Sequence, residues 1–300
     1  MLTQRVLRGW YIGRMQRSFS VLWRLVYVSR PVLWINTIGT AIVGVWLTGE
    51  LWRWEALPIT LWLTLPFNLL IYGVNDLFDR ETDAQNPRKG TLEGARIEDR
   101  EIQPIALGVL LTNLPFVTYF ALTLPLSATA WMLVYILVFV GYSVPPARFK
   151  SRPYLDSLSN AAYALPLVFV PLALGETPVW AAAVGLMAWS AAKHTFDAVQ
   201  DIGEDARAGI VTTAVALGPR GVVLWSGALW AVATVLFALV NIPVAVVNAA
   251  IAGALLYALS RDPRTRTGHR LYKYSIGFPY VAGTVAGVQL VGAISLGIYP

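Results

Sequence analysis

Apolar stretches long enough to cross a bilayer recur nine times along this chain, and that recurrence leaves few folds open to it. With Pro, Gly and charges taken as boundaries, they fall at approximately 31–48, 56–79, 104–124, 127–143, 155–174, 178–200, 221–240, 242–260 and 276–297. A helix needs about 20 mostly apolar residues to span the hydrocarbon layer, and lipid tolerates only segments whose backbone is hydrogen-bonded internally. The expected fold class is therefore all-α: a polytopic membrane bundle of nine helices. Composition agrees, with 56% hydrophobic and only 13% charged residues, against roughly 25% charged in a soluble domain. Several connections are short and hinge on Pro or Gly, as at Leu124-Pro125-Leu126-Ser127, Gly175-Glu176-Thr177-Pro178 and Asn241-Ile242-Pro243. One transmembrane domain, 31–300, is expected. Residues 1–30 are basic and lack an uninterrupted apolar core with a cleavage site, so they read as a membrane-surface segment rather than a signal peptide.

The net charge of +6 could suggest a nucleic-acid partner, but the positions of the cations argue against one. Of 23 Lys and Arg, 21 lie in the N-terminal segment or in loops of one parity, at 80–103, 144–154, 201–220 and 261–275. The positive-inside rule then puts the N-terminus and those loops in the cytoplasm and the C-terminus outside, in what is expected to be a prokaryotic cell membrane. Cysteine is absent. Disulfides, thiolate nucleophiles and Cys-based zinc or iron-sulfur sites are excluded.

Two acidic stretches end apolar spans on the cytoplasmic side. In Gly73-Val74-Asn75-Asp76-Leu77-Phe78-Asp79-Arg80-Glu81-Thr82-Asp83, a continued helix puts Asp76, Asp79 and Asp83 at i, i+3 and i+7 on one face. Asp197, Asp201 and Asp205 repeat this at i, i+4 and i+8. Carboxylates so close repel unless a cation sits between them, and near a membrane they mark a functional site. With Asn75 they supply only hard oxygen ligands, which suits Mg²⁺ bridging carboxylates to a substrate diphosphate. Taken singly, each stripe could be a solvated helix end.

Tyr142-Ser143-Val144-Pro145-Pro146-Ala147-Arg148-Phe149-Lys150 sets cations after a rigid turn on the same side, where Arg148 and Lys150 could reach diphosphate oxygens. Arg88 and Lys89, directly after the first stripe, offer a second such loop. The bland reading of both is positive-inside anchoring. Lys193 stands at i–4 to Asp197 and suits a local ion pair, and His194 reads as a satisfied polar residue at a helix end. Most of the 12 Trp and 13 Tyr suit interfacial belts. Trp34, Tyr72, Tyr142 and Tyr163 are candidates for a cavity wall whose aromatic faces stabilise a carbocation.

The paired motifs Asn75-Asp76-x-x-Asp79-x-x-x-Asp83 and Asp197-x-x-x-Asp201-x-x-x-Asp205, on nine spans, resemble those of the UbiA superfamily of intramembrane prenyltransferases. The resemblance implies a nine-helix bundle whose aspartates bind a prenyl diphosphate through Mg²⁺, with a lateral opening through which a hydrophobic acceptor enters from the surrounding membrane lipids. It implies catalytic roles for Asp76, Asp79, Asp197 and Asp201, metal ligation by these with Asp83 and Asp205, and donor binding by Asn75, Arg88, Lys89, Tyr142, Arg148 and Lys150. Asn86-Pro87-Arg88-Lys89-Gly90 and Pro153-Tyr154-Leu155-Asp156-Ser157-Leu158-Ser159-Asn160 look like the lycopene elongase branch, which adds C5 units from dimethylallyl diphosphate to lycopene. Related readings are transfer of longer prenyl chains to a quinone precursor, chlorophyllide or an ether lipid. A cation-coupled transporter is the rival from another class, and it predicts mid-membrane carboxylates and discontinuous helices. A non-catalytic scaffold leaves both acidic stripes unexplained.

Overall fold

The computed structural model describes residues 21–80 and 95–298, and all regular structure among them is helical. The first span is bent: α1 (Val21–Leu33) meets α2 (Ile35–Leu47) at 58°. The others follow as α3 (Trp54–Phe78), α4 (Asp99–Thr123), α5 (Leu126–Ser143), α6 (Leu155–Ala173), α7 (Trp180–Asp197), α8 (Thr213–Ala238), α9 (Ile242–Arg261) and α10 (Thr265–Ser295). By length and hydropathy seven of the described helices can cross a membrane, or eight if the bent pair is one span. The expected count of nine is not reproduced. The sixth stretch forms a helix, α7, but Lys193, His194 and Asp197 at its end make it too polar to count.

α3 is a broken helix with its gaps filled. Its backbone leaves helical geometry at Thr64 (ψ −126), just before Pro66. The buried Asn68 amide donates to Leu63 O at 2.7 Å, Thr64 O at 2.8 Å and Thr37 Oγ1 at 2.9 Å, so the freed carbonyls are satisfied without water. Asn113 of α4 closes the other side, accepting from Trp62 Nε1 at 2.9 Å and donating to Pro66 O at 2.7 Å. A π-turn, Leu69–Gly73, follows at once. Such turns insert an extra residue and are frequent at functional sites.

The apolar interior has two main centres. In the first half Trp62, Phe67, Tyr135, Phe139 and Phe169 pack together, with Phe67 stacked on Tyr135 at 4.2 Å. In the second half Phe196, Trp230, Leu255, Leu259 and Phe278 do the same. Successive helices α7, α8, α9 and α10 pack side by side, and α6 fits against α2 and α5.

Candidate active site

The first acidic motif is aimed by the π-turn. Beyond it the chain returns to α-helix only for Val74–Phe78, and Asp79 is already the cap. The expected continuous helix through Asp83 is therefore interrupted at Asp79, and Asp76 and Asp79 have separate surroundings. Asp76 is fully buried; its Oδ1 takes Arg30 Nη2 at 2.6 Å and its Oδ2 accepts the Ala95 N–H at 3.2 Å. Asp79 pairs with Lys150. Asn75 Oδ1 accepts from Ser143 Oγ at 2.9 Å, which leaves the amide NH₂ as its remaining polar end. Asp83, Arg88 and Lys89 lie outside the described residues.

The basic loop after α5 thus meets the first motif, as its sequence suggests. Arg148 adopts a left-handed backbone (φ 37), and its buried Nε has no hydrogen-bond partner. Strained backbone of this kind gathers at functional sites.

The second motif is also not one continuous helix. Asp197 ends α7, a 3₁₀ turn covers Ala198–Asp201, and Asp205 sits in the short helix Ile202–Arg207. The tighter turn rotates Asp201 and Asp205 relative to Asp197. Asp197 pairs with Lys193 at 2.5 Å, the local ion pair that their spacing suggests. α10 fixes the turn from behind: a Cβ on Gly268 would lie 2.6 Å from Val199 Cγ1 and 3.1 Å from the Gln200 nitrogen, so only glycine allows this approach.

Burial, and then the charge of Asp201, push the Asp205 carboxyl up to about 6. The folded chain therefore holds a proton there that the unfolded chain has lost, and the contribution to stability falls as pH rises through that interval. Asp205→Asn is expected to raise the melting temperature in metal-free buffer at about pH 7.5, by an amount that shrinks toward about pH 4. Thermal unfolding across a pH series checks this.

Between Asn75 of the first motif and the aromatic core lies a cavity of about 240 Å³ lined by Arg30, Ile71, Tyr72, Asn75, Val138, Phe139, Tyr142, Ser159, Asn160 and Tyr163. Three of the four aromatic residues expected at a cavity wall are there, while Trp34 instead donates to Ser29 O at 3.1 Å. In sequence Arg30 is one of the cations of the basic N-terminal segment, and nothing but its place directly before Pro31 and the first span sets it apart. His194 lies edge-on to Tyr142, ring centres 6.2 Å apart, and 3.8 Å from the buried Asp156.

No three His, Asp or Glu side chains among the described residues converge on one point. Magnesium does not require that, since it commonly takes one or two carboxylates and completes its shell with water and substrate phosphate. Asp197 Oδ1 and Gln200 Oε1 are buried acceptors without a donor. Orphaned hard oxygens beside further carboxylates fit such an ion.

The sequence model of the UbiA prenyltransferase family matches residues 37–278. This chain belongs to that family. It is a UbiA-type intramembrane prenyltransferase, and its acidic motifs fall where that family model matches. Among curated relatives, the lycopene elongase/hydratase of Haloferax volcanii is 37% identical over 227 residues, 73% of this chain and 74% of that one. The lycopene elongase/hydratase of Corynebacterium glutamicum is 27% identical over 277 residues, 89% and 96% of the two chains. The same fold is seen in a UbiA homolog from Archaeoglobus fulgidus solved with DMAPP and Mg²⁺, at a TM-score of 0.63 and 22% identity over 87% of this chain and 99% of that one.

Proposed function

We propose that this UbiA enzyme is a lycopene elongase, joining the C5 group of dimethylallyl diphosphate to the terminal double bond of lycopene. The observation that carries the donor is the cavity: at about 240 Å³ it is smaller than the roughly 300–1,000 Å³ of pockets that take drug-sized ligands. Phe139 stands against Tyr163 with ring centres 4.9 Å apart, backed by Tyr135 and Phe67. A space of this size suits a C5 donor better than a C15 or C20 one. The names of the Haloferax and Corynebacterium relatives support lycopene as acceptor. Only one end of so long a polyene has to enter, from the bilayer.

In this reading Asp76, Asp79, Asp83, Asp197, Asp201 and Asp205 hold Mg²⁺ together with the donor's diphosphate. The ion, when bound, offsets the charge gathering on the leaving diphosphate. Arg148, Lys150, Arg88 and Lys89 would bind the same oxygens, where positive charge counts most as the leaving group's negative charge develops. Ser143 occupies the Asn75 carbonyl oxygen, so the Asn75 amide is turned to donate rather than accept. Tyr72, Tyr142 and Tyr163 present aromatic faces to the allylic cation. The C–O bond of the donor breaks with its electron pair leaving on diphosphate, and the acceptor's π pair forms the new C–C bond. The resulting tertiary cation then loses a proton to diphosphate or takes up water and releases a proton. The wall of Phe139, Ile71 and Val138 keeps water from the first cation. The parity of the basic loops supports a cytoplasmic N-terminus and motif end.

Membranes carrying the protein, given Mg²⁺, labelled dimethylallyl diphosphate and lycopene, should yield carotenoids heavier by one or two C5 units. Transfer only from geranylgeranyl or longer donors to another acceptor would sink this reading and leave the family intact. Phe139→Ala should shift donor choice toward geranyl over dimethylallyl diphosphate by about tenfold. A competition between the two labelled donors measures that ratio whatever fraction of the protein is folded.

A further inference from the structure

We propose that Arg30 is a further diphosphate-binding residue, held on Asp76 until the donor arrives, and that it makes metal binding conditional on the donor; this rests on the diphosphate reading above. Arg30 lines the cavity with its guanidinium carbon 4.5 Å from the centre of the Tyr72 ring. Its Nη2 is 2.6 Å from Asp76 Oδ1, while its Nε is buried with no hydrogen-bond partner. The residue carries a left-handed backbone (φ 52) just before Pro31, a conformation an arginine adopts only when its surroundings impose it. A guanidinium stays charged at any working pH and offers five N–H donors in a plane.

Asp76 already has a partner on each oxygen, Arg30 on one and the Ala95 N–H on the other. To ligate a divalent ion it must draw Oδ1 away from Arg30 or share it. A metal ion arriving alone would leave the buried arginine beside a second cation without a counter-charge, an unfavourable exchange. Diphosphate supplies the missing negative charge. Arg30 can then move from carboxylate to phosphate oxygens, where its fork binds two at once, as Asp76 turns to the metal. Lys150 on Asp79 and Lys193 on Asp197 repeat the arrangement at two more of the acids. Metal and donor therefore bind with positive coupling, and Arg30 carries part of it.

The test is Mn²⁺ binding to the purified full-length protein in nanodiscs, with and without inorganic diphosphate, for wild type, Arg30→Met and Arg30→Lys. In wild type, diphosphate should tighten Mn²⁺ binding by about tenfold or more. Arg30→Met should bind Mn²⁺ alone about tenfold more tightly than wild type and gain much less from diphosphate. Arg30→Lys, a point charge without the fork, should fall between and covers the case in which the methionine variant does not fold. If the folded variants show the wild-type affinities in both conditions, Arg30 has no such role. A wild type that binds Mn²⁺ but gains nothing from diphosphate, and retains none of it, overturns the diphosphate reading itself.

Discussion

Asp76→Asn is expected to cut prenyl transfer by at least about 10²-fold and to destabilise the protein by about 3–5 kcal/mol. The two losses have different origins. Transfer should fail because, in the role proposed for Asp76, an anionic ligand oxygen for the metal–diphosphate complex becomes a neutral amide. Stability falls because the Arg30 guanidinium, largely buried and 2.6 Å from Oδ1, keeps its charge and loses its counter-ion. The double variant Asp76→Asn/Arg30→Met separates them: removing the stranded charge should restore most of the stability and none of the transfer. Product mass from labelled dimethylallyl diphosphate reports the first effect, and thermal unfolding in one detergent reports the second. Full transfer by folded Asp76→Asn would remove Asp76 from the site.

The second large effect concerns a carboxylate outside both acidic motifs. Asp156, fully buried at the start of α6, accepts the Thr213 N–H at 3.1 and 3.0 Å on its two oxygens and also takes the Thr213 hydroxyl. It ties α6 to the first turn of α8, and Tyr154 N reinforces the tie by donating to Thr213 Oγ1 at 2.7 Å. Asp156→Ala leaves a buried N–H and hydroxyl without an acceptor and should cost about 3 kcal/mol or more. The expected result is a much lower melting temperature and little folded protein. Thr213→Val, which keeps the N–H bonded, should be milder. Equal melting temperatures for Asp156→Ala and wild type would show that the tie contributes nothing.

Reading these residues from sequence alone succeeds where local pattern governs and fails where distant partners do. The spans were legible because lipid imposes a length and an apolar composition, and the acidic motifs stand out because clustered charge at span ends is costly. The bends were not. The break at Thr64 stands because Asn68 and Asn113 satisfy its carbonyls from across the bundle, and neither amide announces that task in sequence. The π-turn before Asn75 and the 3₁₀ turn before Asp201 likewise upset the even helical spacing that stacks the acids on paper. Arg30 was hidden by a correct rule, since a cation beside a span is usually an anchor. Its pairing with Asp76, 46 residues further on, is purely tertiary.

Gly268 joins two parts of the molecule that face different media. On one side it lets α10 rest against Val199 and the Gln200 backbone, the turn that carries Asp201. Further along the same helix, which is long and apolar enough to cross a membrane, Ile276, Tyr280, Val281, Val288 and Val291 are exposed. A helix so placed tilts with the thickness of the bilayer, and its near end has no slack against the turn. Bilayers of differing acyl length should therefore shift the turn that carries Asp201, with the lipid acting as a lever on a polar segment it never touches.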